Sequence, residues 1–461
     1  MGSAAEGMRI VEEQGKMNVN RRTFLRGATA LAAALPVGGF PAIVKRRNAN
    51  MLLSHACIGC GNMALVDLKG LMSHRDIHIT ALCDVDSEIL AKAHELCPDA
   101  RLYRNATEMM AQEGAAIDSV NVSTPDHTHA AYILDALERG LNVYGQKPLC
   151  HRLEDSRRIE KLAAGKCAVT QMGTQIAAWE CDRQTAEALK SGKIGEVRHV
   201  WLFSNRRKEP PASRYALPLK EDPVPGTLDW KTWLGDAAYR PYSVGNYHPQ
   251  VWRKWRDFGS SWLGDLALHL LSPVWLGLEL GKTGPLDVRA EISDDGWTPE
   301  QMRAFWPRMS HVAWTFPGVK ASGGKPFAIE WCDGFGDVAA RIEPRFLPPA
   351  FLQDVAAASP YGKLPQQGRV IEGSEGWLLS THFGVAPVFV MKDGGAAPQA
   401  PSVGPAVSHW HEYVDCCLSG GTPTSSFEWA GRLSEMTLIG NLAQDRPGET
   451  LAWDAEKGAF K

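Results

Sequence analysis

The chain lacks a dominant charge, a long run of like charges and any internal repeat, and each lack removes a class of function. With 49 Lys and Arg against 52 Asp and Glu, the formal net charge is -3. The basic stripe that tracks phosphates in a nucleic-acid binder is therefore missing. A retained membrane span is not expected either: the Ala-rich, uncharged stretch Gly27 to Val44 contains Pro36, Gly38, Gly39 and Pro41 and falls short of the ~20 apolar residues a spanning helix needs. Cysteine occurs ten times, yet no second pair stands at zinc-type spacing, and no metal site is expected. Cys57, Cys83 and Cys332 fall in segments that read as buried strands, where a thiol serves as a small apolar group. Cys57 and Cys60 make a C-x-x-C, but inside a glycine turn, where a redox or metal role would compete with an anionic ligand.

At 461 residues the chain is too long for one compact core, so two domains are expected behind a leader. Residues 1–50 read as targeting sequence. Asn20-Arg21-Arg22-Thr23-Phe24-Leu25-Arg26 is a twin-arginine signal ahead of the Ala-rich stretch. It predicts export of an already folded protein to the periplasm or beyond, with no stable membrane insertion once the signal is removed. The sixteen Trp read first as core and interface residues, and second as the aromatic walls of a carbohydrate site.

From residue 51 to about 175, short apolar strands alternate with helical segments, as in a parallel sheet covered on both faces. Strands are expected at Met51 to Ile58, Ile77 to Cys83, Ile117 to Val122, Leu141 to Tyr144 and Ala168 to Met172. Helices are expected at Val66 to Ser73, Ser87 to Leu96, Ala130 to Arg139 and Ser156 to Ala164. Residues 176–461 change texture, with alternating strands at His199 to Phe203, His311 to Phe316, Phe327 to Trp331 and Arg369 to Leu379, and closing helices at Trp410 to Leu418 and Ala430 to Ala443. The fold class is thus α/β: a Rossmann dinucleotide-binding domain, then an α+β domain with a mostly antiparallel open sheet.

Gly59-x-Gly61-x-x-Ala64 follows the first strand and opens a helix. The first glycine permits the tight turn, the second admits a pyrophosphate close to the backbone, and Ala64 lets helix and sheet approach. Asn62 and Met63 complete that turn. Asp84 closes the second strand, where a carboxylate meets the adenosine ribose and repels a 2′-phosphate; NAD is favoured over NADP. Ser123, Thr124 and Pro125, with His129, end a further strand at the carboxyl edge of the sheet, and Gln146-Lys147-Pro148 ends another. Gly264-Asp265-Leu266-Ala267-Leu268-His269 sets Asp265 and His269 at i and i+4, on one face of a helix.

Taken in order, these motifs resemble the glucose–fructose oxidoreductase / inositol dehydrogenase family (Gfo/Idh/MocA) over roughly Leu52 to Asn441. The segment Tyr247-His248-Pro249 to Trp252-Arg253 looks like its exported, twin-arginine members. The resemblance implies an NAD-dependent enzyme that acts on a secondary hydroxyl of a sugar or polyol by hydride transfer. It gives His269 the role of base, Lys147 that of stabilising charge on the substrate oxygen, and Asp265 that of holding substrate and orienting the pair. Tyr247, His248 and Arg253, with Asp265, are candidate substrate contacts, and His127 is a weaker one. Pairing through the open face of the second sheet, as a homo-dimer or tetramer, is the associated expectation. Gln146 departs from the usual Glu-Lys-Pro. Because free NAD is scarce outside the cytoplasm, an exported member should keep its cofactor bound and regenerate it within a cycle. The alternative is an NAD-dependent glycosidase or lyase of the α-N-acetylgalactosaminidase kind, which breaks the glycosidic bond after transient oxidation of the sugar.

Overall fold

The computed structural model describes residues 52–205, 215–293, 295–333, 343–382 and 384–461. The twin-arginine segment and its Ala-rich stretch lie outside the described residues. No described helix is long and apolar enough to cross a membrane.

Six strands make the first sheet: β1 (Leu53–Ile58), β2 (Ile77–Cys83), β3 (Arg101–Tyr103), β4 (Ser119–Val122), β5 (Asn142–Gly145) and β6 (Thr170–Met172), every pairing parallel. Their order is β3-β2-β1-β4-β5-β6, so the direction of winding reverses between β1 and β4. Ligands of open α/β sheets bind in the crevice beyond the carboxyl ends of the strands at such a reversal. All four residues of β4 are buried, as a strand covered on both faces requires. Local chemistry starts the helices between strands: the Asp86 side chain accepts from Glu88 N–H at the head of Ser87–His94, and Asn105 does the same for Glu108 ahead of Ala106–Glu113.

The second sheet comprises β7 (Val197–Ser204), β8 (Asp287–Ile292), β9 (Ser310–Phe316), β10 (Phe327–Asp333), β11 (Gln367–Gly373), β12 (Gly376–Thr381), β13 (Val388–Met391), β14 (Thr450–Asp454) and β15 (Ala459–Phe460). They lie in the order β13-β12-β11-β7-β10-β9-β8-β14-β15, antiparallel except for the β7–β10 pair. Alternation sets its inner face: Val312, Trp314 and Phe316 of β9 are buried in one cluster with Leu268, Leu271 and Trp275 of the helix Leu268–Gly277 and with Leu433 and Ile439 of the helix Phe427–Ala443.

Two expectations are corrected here. Arg369 to Leu379 is a hairpin rather than one strand, turning at Ser374 and Glu375 between β11 and β12. The helix expected from Ala130 begins at Asp126, because Pro125 suits the residue preceding a helix, with extended backbone, and Asp126 suits its positive first turn. His127 and His129 therefore ride on that first turn, not on a strand end.

Candidate active site

Ile58 of β1 lies in register with Val122 of β4, so the turns after these strands touch. Gly59 has φ +90, and a Cβ there would come within 2.5 Å of the Ser123 carbonyl oxygen. Both constraints demand glycine. Gly59→Ala is accordingly expected to weaken dinucleotide binding by about 100-fold or more, through strain of roughly 1–3 kcal/mol plus displacement of the Ser123 loop. Titration with NAD against tryptophan fluorescence measures this, and unchanged affinity would remove the turn from the site.

The turn opens into a cleft whose walls include Gly59, Gly61, Asn62, Met63, Asp84, Ser123, Thr124, Pro125, His129 and Lys147. Every cofactor-binding candidate read from the sequence thus reaches one cavity. The helix Met63–Met72 starts beside it, so its positive end faces the space where a diphosphate fits. The Asp84 carboxylate accepts the Cys60 and Asp86 backbone N–H groups, each at 2.9 Å. Burial pushes its carboxyl above the usual range, against those two bonds and the charge of His248. Both oxygens retain a lone pair for a ligand hydroxyl. Cys57 and Cys60 are buried free thiols pushed well up by burial, which suits packing rather than redox chemistry.

At the other end of the cleft, Lys147 Nζ donates to both Asp265 Oδ1 and the Asp265 carbonyl oxygen, at 2.6 Å each. Arg253, which stacks 4.2 Å over the Trp252 ring, brings its Nε within 3.6 Å of the same Oδ1. Behind them Asp126 is buried; desolvation raises its carboxyl, while His129, Arg253 and Lys147 oppose that shift. His129 places Nδ1 2.7 Å from the Pro148 carbonyl and Nε2 2.7 Å from that of Thr124. The ring lies between the ends of β4 and β5 and donates to one of the two carbonyls according to its tautomer, so this residue spaces the loops as well as lining the cavity.

Asp265 and His269 do not share a regular α-helical face. Leu263–Ala267 is a π-helical turn that feeds the α-helix Leu268–Gly277, and its wider spacing offsets the two residues. They nonetheless remain neighbours in charge. His269 is buried, its ring centroid 5.2 Å from that of His382. Burial lowers its pKa well below 6.5, helped by Lys147 and His382 and opposed by Asp265. The ring is therefore neutral at neutral pH and able to take a proton. Neither Asp265 nor His269 forms the wall of the cleft; they stand behind Lys147 and Arg253.

Described residues between Thr232 and Arg253 roof the cavity. Thr232, Trp233, His248, Pro249, Trp252 and Arg253 line it. His248 Nε2 lies 3.0 Å from Asp86, Gln250 Nε2 donates to Asn62 Oδ1 at 2.5 Å, and Asp229 N–H donates to the Val85 carbonyl. These bonds fasten the roof to the glycine turn and to the residues beside Asp84. Tyr247 is corrected as a substrate contact: it is buried against Trp230, Trp255 and Phe258, with ring centroids 5.0–5.8 Å away. His127 is likewise structural, bonded to the Trp233 carbonyl at 3.0 Å and packed on Phe258.

With that geometry in place, comparison with known proteins is direct. A family model described as an oxidoreductase family NAD-binding Rossmann fold, Gfo/Idh/MocA, matches residues 53–174. The model of the same family's C-terminal alpha/beta domain matches residues 215–309. The chain belongs to the Gfo/Idh/MocA oxidoreductase family. Its first domain is accordingly an NAD-binding Rossmann domain. Among curated relatives, an inositol 2-dehydrogenase of Burkholderia multivorans is 27% identical over 228 residues, 49% of this chain and 65% of the relative. A glycosyl hydrolase family 109 protein of Stenotrophomonas maltophilia is 29% identical over 134 residues, 27% of this chain and 29% of the relative. The chain thus spans less than two thirds of the length of these relatives. A solved dehydrogenase of Bordetella pertussis, WlbA, in complex with NADH and UDP-GlcNAcA, superposes with a TM-score of 0.57 at 15% identity, covering 87% of this chain and 99% of that one. At that identity the likeness is one of fold.

Sequence reasoning missed several cavity and near-cavity residues of this family member. Trp233 was hidden in a Trp-rich stretch with no periodicity. His382 and His409 come from remote segments with no motif around them. Asp67 carried a usable signal: it interrupts the buried stripe Ala64, Asp67, Leu68 and Leu71 of its helix, and a charge on a sheet-facing stripe asks for partners.

Proposed function

We propose that this family member is an exported NAD-dependent oxidoreductase that acts on a secondary hydroxyl of a sugar or polyol and keeps its cofactor bound. The observation that carries the reading is Lys147 Nζ, held 2.6 Å from Asp265 Oδ1, at the end of a cleft that begins at Gly59. When bound, NAD supplies the hydride acceptor. Lys147 then stabilises negative charge on the substrate oxygen, and Asp265 together with the Asp265 carbonyl fixes where that ammonium sits. The hydroxyl proton passes to Lys147 as that ammonium gives one of its own protons to the neutral ring of His269 behind it. Trp252 and Trp233 exclude water, and Arg253 meets a substrate oxygen from the roof. The ties from His248, Gln250 and Asp229 to the Rossmann edge slow cofactor escape, as an enzyme working where free NAD is scarce requires.

The test begins with the purified full chain. Heat-released nucleotide should be NAD or NADH, and inositol together with common aldoses should reduce the bound NAD, read at the nicotinamide absorbance. A chain that carries and binds no dinucleotide overturns the reading. The family 109 relative supports a second reading, glycoside cleavage through transient oxidation. An aryl α-N-acetylgalactosaminide turned over without added NAD, and without net NADH, would select it.

A further inference from the structure

Asp67 is the most deeply buried carboxylate beside the cleft, with no exposed surface, and the chemistry above leaves it without a task. Its four bonds come from neutral groups. Oδ2 accepts from Ser123 Oγ and from Gln146 Nε2, each at 2.8 Å, and Oδ1 accepts from the Trp410 indole N–H at 3.0 Å and from the Tyr144 hydroxyl at 3.2 Å. Trp410 can only donate, and an amide nitrogen can only donate, so one acceptor is needed on each oxygen. A carboxylate supplies both; burial pushes this carboxyl above its usual range, and the four donors oppose that shift. Burial pushes Tyr144 well above its ordinary pKa, which keeps that hydroxyl protonated as a donor.

Two of these partners, Ser123 and Gln146, line the cofactor cleft on either side of the strand-end loops that carry Thr124 and Lys147. Gln146 has no freedom to turn away. A Cβ on Gly173 would stand 2.6 Å from its Nε2, so the glycine is the slot in which the amide lies, and its Oε1 faces the Lys147 N–H at 3.4 Å. One buried charge therefore orients both polar side chains at the reacting end of the cleft.

We propose that Asp67 is a positioning residue that, as a carboxylate, fixes Ser123 and Gln146 against the nicotinamide and biases the bound cofactor toward its oxidised, more positive form. This rests on the dinucleotide reading of the cleft. A buried negative charge with no cation among its hydrogen-bond partners favours NAD+ over NADH at short range. Removing it should shift the ratio of the two dissociation constants toward NADH by about tenfold, equivalent to about 30 mV in the bound two-electron couple.

The test uses the full chain freed of bound nucleotide and titrated separately with NAD+ and NADH. Asp67→Asn should bind NADH at least about tenfold better relative to NAD+ than the parent does. The double variant Asp67→Asn/Gln146→Glu should restore the parental ratio. There the new carboxylate at 146 accepts from the new amide at 67, whose oxygen still serves Trp410 and Tyr144, while the Ser123 hydroxyl rotates to accept. Where Asp67→Asn alone does not fold, recovery of both fold and ratio in the double variant supports the proposal. A folded Asp67→Asn with an unchanged ratio overturns it, as does a double variant that misfolds or stays biased toward NADH. A parent chain that binds neither nucleotide instead defeats the reading of the cleft.

Discussion

Lys147→Ala is expected to lower turnover of the sugar or polyol by about 10³-fold while leaving NAD affinity within a few-fold. The loss has two physical parts. The ammonium that meets charge on the substrate oxygen disappears, which for one preorganised donor costs about 10²–10³ in rate. The Asp265 carboxylate also loses the cation held 2.6 Å from its Oδ1, while Arg253 stays at 3.6 Å, so the site becomes more negative where negative charge must develop. The pH profile separates these effects from mere misfolding. In the parent, burial, Lys147 and His382 hold His269 well below 6.5. A base with a depressed pKa is free above that value and lost only as pH falls through it, so the acid limb of kcat lies well below pH 6.5. Removing Lys147 removes one of the charges that depress it, and the acid limb of the residual activity should move up toward 6.5. A residual limb that stays in place or moves down separates His269 from Lys147 and defeats the assignment. His269→Ala should cost a comparable factor of about 10²–10⁴, with no acid limb from this group remaining.

The fold was legible where local chemistry is decisive. Gly59, Ala64 and Asp84 mark a strand-turn-helix-strand unit whose spacing leaves little alternative, and β2 was bounded correctly from its apolar run closing on Asp84. What the sequence does not spell out is long-range. Nothing near Asp265 reveals that its turn is π-helical; Leu263, Leu266 and Leu268 around it are buried in a core built from remote segments, including β9 and β10 of the second sheet. Tyr247 reads as a site residue from its motif neighbours, yet the same aromatic richness buries it among Trp230, Trp255 and Phe258. The site's outer partners were invisible for a simpler reason: His382 and His409 reach His269 from more than a hundred residues away, and no short window contains them.

The same long-range logic gives the largest expected effect on stability, at Arg369. This side chain and Asp182 are 1% and 2% exposed and meet at 2.7 Å. Arg369 also donates to the Leu270 carbonyl at 2.8 Å and to the Thr381 carbonyl at 3.1 Å. Arg369→Met leaves Asp182 as a buried charge without its cation and should cost about 3–5 kcal/mol in urea unfolding. Replacing both partners, Arg369→Met with Asp182→Leu, removes the stranded charge and should recover most of that loss, since a buried pair often exchanges for apolar groups at little net cost. Activity should not recover with it. Leu270 follows His269, and Thr381 precedes His382, so the two carbonyls bound by Arg369 belong to the backbone that sets the histidine pair 5.2 Å apart. A stable double variant with kcat reduced about tenfold or more, and KM little changed, is the expected outcome, because a small displacement of a base costs rate before it costs binding. A double variant as active as the parent would mean that helix packing alone holds His269 and that Arg369 serves only the core. A double variant no more stable than Arg369→Met would mean that the carbonyl bonds, rather than the stranded charge, dominate the loss.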